Sequence, residues 1–145
     1  MKIYGIGTDI INISRLKKAI NKYNQNFKIK IFSPTEISYC EKKKDPFPSY
    51  AKRFAAKEAF TKALGTGFGN GISLKNIEVI NEKNGQPKIK LTGAALKKLK
   101  KRINNKPYKV HLSLSDDKPW AQATVLISYK WQKTLKIKYT IILKL

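Results

Sequence analysis

Carboxylates, cysteine, histidine and long apolar runs are all scarce in this chain, and each shortage closes off a class of function. One cysteine, Cys40, permits no internal disulfide and fits a reducing compartment. With His111 as the sole histidine beside it, a zinc centre is excluded. No Gly-x-Ser-x-Gly elbow occurs, so a serine-hydrolase reading is poor. No Walker-type Gly-Lys-Ser/Thr is present, and Gly5-x-Gly7 lacks the third glycine of a dinucleotide fingerprint. No run approaches the ~20 apolar residues that a membrane span requires. The N-terminal apolar stretch is short, broken by glycine and ended by Asp9, which is not a signal-peptide layout. A soluble, cytoplasmic protein without a membrane span is expected.

Positive charge is what the chain has in excess. Its 145 residues carry 31 Lys+Arg against 9 Asp+Glu, a formal net charge of +22. This length suits one domain, able to bury roughly 70% of its unfolded surface without metal or disulfides. Lysine, asparagine and isoleucine are also residues of AT-rich codons, so the charge has two compatible readings. It is compositional drift that solvates the surface, or it steers the protein toward an acidic ligand or partner within a Debye length of ~8 Å. Charge alone does not choose among nucleic acid, membrane surface, phosphorylated cofactor and acidic protein.

Residues 2–9 read as a strand in which Gly5 and Gly7 allow close backbone approach or a bend. A basic amphipathic helix follows from Asn12, with Leu16, Ala19, Ile20 and Tyr23 on one face and Arg15, Lys17, Lys18 and Lys22 on the others. Ser33-Pro34-Thr35-Glu36 is a capping box for a short helix toward Cys40. The strongest helical pattern covers 49–64 and ends at Gly65, followed by a loop holding Gly65, Gly67, Gly69 and Gly71. Strands over 77–81 and 88–91 flank an Asn84-Gly85 hairpin turn, and Thr92 caps a third basic helix. Strands over 108–115 and 120–129 pair across a turn at 116–119. Mixed without strict alternation, these elements predict an α+β class: one domain, mostly antiparallel sheet packed with helices.

Two of the few carboxylates lie in apolar surroundings, where an unpaired charge is costly. Asp9 closes the first strand, and Glu58 sits inside Arg53-Phe54-Ala55-Ala56-Lys57-Glu58-Ala59-Phe60-Thr61-Lys62. Each has a purely structural reading: Asp9 as a helix cap, and Glu58 in an i,i+4 ion pair with Lys62 worth only ~0.3–0.5 kcal/mol. The context favours more. Arg53, Lys57 and Lys62 surround Glu58 in sequence, and a glycine-rich loop follows directly. Cations, a carboxylate and glycines that admit a phosphate are the ingredients of a Mg²⁺–phosphate site, and Mg²⁺ takes one or two protein carboxylates. His111 shares a strand face with Ser113 and Ser115; a local hydrogen bond and a ligand contact are equally open to it.

Gly5-Ile6-Gly7-Thr8-Asp9-Ile10, Phe32-Ser33-Pro34-Thr35-Glu36-Ile37, the 53–63 helix and His111-Leu112-Ser113-Leu114-Ser115 occur in that order. Together they resemble the holo-(acyl-carrier-protein) synthase family of 4′-phosphopantetheinyl transferases, with coverage from residue 1 to about 129. The resemblance implies a homotrimer with active sites between subunits. It implies Mg²⁺-dependent transfer of 4′-phosphopantetheine from coenzyme A to a serine of apo acyl carrier protein, with release of adenosine 3′,5′-bisphosphate. Asp9 and Glu58 match the metal ligands, and Lys62 a pyrophosphate contact. Arg53 and Lys44 fall where the ribose 3′-phosphate is held, and His111 where the nucleotide approaches. The loop after Gly65 and Gly67 is suited to supply backbone N–H donors. Glu58 is the expected proton acceptor, and Arg15, Lys18 and Lys22 the face for the acidic carrier protein.

Residues 130–145 extend past the family's usual end. Leu135, Ile137, Tyr139 and Ile141 alternate with polar residues, which predicts an extra edge strand. Asp116 and Asp117 have no assigned role. The rival readings are a Lys-driven RNA-binding module, for which no nucleic acid partner is expected here because Tyr108, Trp120 and Tyr129 are scattered, and a non-catalytic relative that binds coenzyme A.

Overall fold

The strand expected over residues 2–9 runs on to Asn12 and forms β1 (Lys2–Asn12) in a computed structural model, which describes residues 1–67 and 69–131. Asn12 then caps α1 (Ile13–Ile31), its side-chain oxygen accepting from Arg15 N at 3.1 Å. Asp9 is thereby relieved of the capping role and left for other partners. Leu16 and Ile20 of α1 point into the core, whereas Tyr23, expected beside them, is exposed. One residue further on, Asn24 leaves the helical region (φ 51°, ψ −133°), so the core-facing stripe of this first stretch stops at Ile20.

α2 (Pro34–Glu41) opens with the expected capping box: Ser33 Oγ accepts from Glu36 N at 3.2 Å, and Glu36 Oε2 accepts from Ser33 N at 2.8 Å. Ser33 Oγ also donates to Glu78 Oε1 at 2.6 Å. Ser33→Ala is therefore expected to cost about 1–2 kcal/mol, read by denaturant unfolding. Thr92, also expected to cap a helix, stands at the N-cap of α4 (Gly93–Arg102) but makes no side-chain cap bond. Thr92→Ala should leave stability almost unchanged.

The long helix is α3 (Phe47–Leu64), stopped by Gly65 in the left-handed region (φ 75°). After a 3-10 turn (Leu74–Asn76), β2 (Ile77–Asn81) and β3 (Pro87–Leu91) form an antiparallel hairpin. β4 (Tyr108–Asp117) and β5 (Trp120–Tyr129) form another, with Asp117 paired to Trp120. The 116–119 turn thus contracts to Lys118-Pro119. Asp116 belongs to the strand and bonds Lys52 at 2.5 Å, while Lys118 reaches Asp45 at 2.9 Å.

β1, β5 and β4 make a three-stranded antiparallel sheet in that order. α3 lies across it, burying Ala55, Ala56, Ala59, Phe60 and Ala63 against Ala123, Val125 and Ile127 of β5. Small residues let the layers meet closely. A Cβ at Gly7 would collide with the Ala59 carbonyl oxygen and the Ala63 nitrogen, and one at Gly5 with the Ala63 carbonyl oxygen. Among the described residues the opposite sheet face has no cover: Ile3, Ile6 and Ile10 are 68%, 65% and 60% exposed. The extra strand expected within 130–145 lies outside the described residues.

Candidate functional site

The backbone contact at Gly7 decides what faces Asp9. It sets α3 directly on β1, with the Lys62 Cβ next to Gly7, so the helix turn carrying Glu58 and Lys62 stands over the end of the strand. Lys62 Nζ donates to Asp9 Oδ1 at 2.8 Å and to the Thr8 carbonyl at 3.1 Å. Among the described residues Glu58 has no salt bridge, so the i,i+4 pair with Lys62 is not formed; the lysine reaches across to the strand instead. The other cations around Glu58 in sequence also point elsewhere. Lys57 is buried against Glu36, and Arg53, only 3% exposed, lies 4.0 Å from the Tyr39 ring centroid and donates to Asn81 Oδ1 at 2.7 Å.

Asp9, Glu58 and Lys62 line one open cleft of about 700 Å³, together with Asn12, Arg15, Phe27, Ile31, Phe54 and Trp120. Phe54 falls on the Glu58–Lys62 face by simple helical spacing. Trp120 reaches the cleft from β5 and carried no sequence signal beyond its strand. An adjoining, mostly apolar pocket of about 640 Å³ shares Phe27 and Ile31 as a wall and is also lined by Ile72, Ser73 and Leu74.

Burial pushes the Glu58 carboxyl up to about 7, the Asp9 charge adds to the rise, and Lys62 opposes it. A carboxyl held up in proton affinity by burial and by a second carboxylate, with one lysine near, leaves negative charge for a further cation to neutralise. Among the described residues no group of three or more His, Cys, Asp or Glu side chains could hold a metal. The two-carboxylate set fits Mg²⁺, which keeps waters and phosphate oxygens as its remaining ligands, and does not fit a site closed by protein alone.

The raised Glu58 value has a stability consequence whose sign is fixed. Its folded value exceeds the ordinary 4.5, so its contribution is fully present below 4.5 and is lost as pH rises through about 7. The metal-free protein is expected to gain stability between pH 8 and pH 5, an increment that Glu58→Gln removes. Thermal melts with EDTA across that range check it. Mg²⁺ binding should weaken over the same fall in pH, because the proton competes for Glu58.

The remaining sequence candidates do not converge on this cleft within one chain. Lys18 and Lys22 are exposed on α1, and Lys44 is exposed before α3. Gly65 and Gly67 lie on the exposed connection after α3, both with positive φ. His111 stands on the sheet face of Ile6 and Ile10, 3.2 Å from Ser128 Oγ. Its register partner is Leu126, which pairs in turn with Ile6.

The fold is thus α+β, with two carboxylates and a lysine lining one cleft. Residues 5–125 match the 4′-phosphopantetheinyl transferase superfamily, and the chain belongs to it. The holo-(acyl-carrier-protein) synthase of Caulobacter vibrioides is 47% identical over 127 residues, covering 86% of this chain and 95% of its own. The crystal structure of the Neisseria meningitidis holo-(acyl-carrier-protein) synthase aligns with a TM-score of 0.76 and 37% identity, covering 88% of this chain and 99% of its own. That of the Helicobacter pylori enzyme in complex with coenzyme A aligns at 0.73 and 32%, covering 85% and 99%. The family and fold expected from the ordered motifs are both borne out.

Proposed function

We propose that this protein transfers the 4′-phosphopantetheine group of coenzyme A to a serine of apo acyl carrier protein, releasing adenosine 3′,5′-bisphosphate. The observation that carries this reading is the convergence of Asp9, Glu58 and Lys62 on one cleft, in a chain whose relatives are named for that activity. Attack on a pyrophosphate needs in-line positioning and charge neutralisation more than covalent help. Mg²⁺ held by Asp9 and Glu58 would supply that neutralisation on the bridging phosphates and the departing bisphosphate. Lys62, already shared between Asp9 and the Thr8 carbonyl, is placed to release its ammonium to a phosphate oxygen. Glu58 is the group that would receive the serine proton.

Arg15 at the cleft rim continues onto α1 as Lys18 and Lys22, a cationic face for an acidic carrier protein. The bare isoleucines of the sheet support assembly with further copies of the chain as a homotrimer, which would hide them. In such an assembly His111, Lys44, Arg53 and the N–H groups at Gly65 and Gly67 would serve a nucleotide bound between subunits. Arg53 Nε has no partner among the described residues. Residues 1–129 form the transferase domain in this reading and 130–145 an extension. No described helix is long and apolar enough to cross a membrane, in keeping with action in the cytoplasm. The RNA-binding alternative needs aromatic and cationic side chains interleaved on an open sheet; the open face here carries isoleucine.

The test is intact-mass spectrometry of apo acyl carrier protein incubated with this protein, coenzyme A and Mg²⁺. A gain of one phosphopantetheine, abolished by EDTA, is the expected result. Binding of coenzyme A without any gain would leave a non-catalytic relative.

A further inference from the structure

Lys57 precedes Glu58 in α3, yet its side chain turns away from the cleft into the protein, where it is fully buried. Each of its three ammonium hydrogens has an acceptor. These are Glu36 Oε2 at 2.8 Å, the Ile77 carbonyl at 2.6 Å and the Leu74 carbonyl at 3.0 Å. Glu36, equally buried, also accepts from the backbone N–H groups of Ser33 and Val79. One cluster therefore joins the start of α2, the middle of α3 and the entry to β2.

A buried ion pair is a poor source of stability, since apolar replacements of both partners are often as stable. What the ammonium does that an apolar side chain would not is hold two carbonyls in fixed places. Those carbonyls flank the 3-10 turn at the return end of the connection that leaves α3 at Gly65. The departing end is held on the same helix, by Gly65 N to the Lys62 carbonyl at 3.0 Å and Thr66 N to the Thr61 carbonyl at 3.1 Å. The connection thus leaves from the turn carrying Lys62 and is fastened again beside Glu58. Its return stretch, Ile72 to Leu74, lines the pocket that shares a wall with the cleft.

We propose that Lys57 is a positioning residue that sets the 72–77 stretch relative to Glu58 and Lys62, and through it the fit of coenzyme A. This deepens the proposed function and rests on it for the identity of the ligand. Glu36 is its charge partner, and the two carbonyl bonds are the working part.

The test compares Lys57→Met/Glu36→Gln, which removes both charges together, with Glu36→Gln alone, which keeps the ammonium on both carbonyls. Readouts are the melting temperature, amide hydrogen exchange over 72–77, coenzyme A binding by calorimetry, and kcat and KM for each substrate. The double variant is expected to stay folded, exchange faster at 72–77 and raise the KM for coenzyme A about tenfold or more. The KM for carrier protein should hold, because α1 is untouched. Glu36→Gln alone leaves the buried ammonium without its counter-charge and should melt lower, but its folded fraction should bind coenzyme A as the wild type does.

The proposal is overturned if the folded double variant keeps wild-type exchange and coenzyme A affinity. It is equally overturned if every kinetic constant falls only with the folded fraction, or if Glu36→Gln alone gives the same loss. Should the double variant not fold, Lys57→Arg, which keeps a charged donor of different shape, takes its place with the same readouts. Wild-type protein that binds coenzyme A without transfer would sink the proposed function alone, since exchange and calorimetry still decide the role of Lys57.

Discussion

Glu58→Gln is expected to lower phosphopantetheine transfer by about 10²–10³-fold and to leave the melting temperature at neutral pH unchanged or higher. The two halves of this result come from the same environment. Glu58 is half-buried, lacks a salt bridge among the described residues and faces the charge of Asp9, so ionising it is unfavourable there. A neutral amide of the same shape removes that strain. It also removes the charge that would hold the cation and accept the serine proton. Mass-spectrometric transfer assays beside thermal melts check both halves. A variant that loses activity and stability together would assign Glu58 to the scaffold. Asp9→Asn should behave differently, since Asp9 is paired with Lys62 at 2.8 Å. That pair is largely open to solvent on the lysine side, so its loss should cost little stability.

Gly7→Ala should be far more damaging to the fold than its single methyl suggests. The added carbon would meet backbone atoms of α3, the Ala59 carbonyl oxygen and the Ala63 nitrogen, which cannot rotate aside as a side chain would. The helix must lift from β1, at an expected cost of about 3 kcal/mol or more, from a total stability of roughly 5–15 kcal/mol. The same displacement separates Lys62 from Asp9, so any folded fraction should have lost transfer and Mg²⁺ binding as well. Urea unfolding with a transfer assay on the folded protein reads both. Gly67→Ala supplies the contrast: it would meet nothing within 4 Å, so only its positive φ counts, at about 1 kcal/mol. Equal losses at the two positions would mean that close helix packing is not what Gly7 provides.

Local signals in the sequence were legible where local chemistry decides the outcome. The Ser33–Glu36 capping box, the Asn84-Gly85 turn and the Gly65 stop each depend on residues a few positions apart, and each forms as expected. The ordered motifs also led to the family. The partners of individual charges were not legible. Nothing in the spacing distinguishes a Lys62 that pairs with Glu58 on its own helix from one that reaches Asp9 on a strand. Nor does it mark Lys57 as a cation of the helix that turns inward. Its partner Glu36 looked fully employed as a cap, and only the tertiary meeting of α2, α3 and β2 gives that carboxylate a second task. Arg53 was hidden for the same reason, since Tyr39 and Asn81 come from elements that no local pattern connects to it.

The glycines of β1 have a consequence for how well the cleft keeps its dimensions. Strand and helix touch main chain to main chain, with no side chain interposed to change rotamer. The separation between the Asp9 and Glu58 backbones is then gauged by peptide geometry, which is stiff, rather than by torsions that hop on the nanosecond scale. Mg²⁺ tolerates little departure from octahedral geometry. In the proposed reading the two carboxylates would start from backbone positions that the fold fixes, so that holding the cation would require only their side chains to settle.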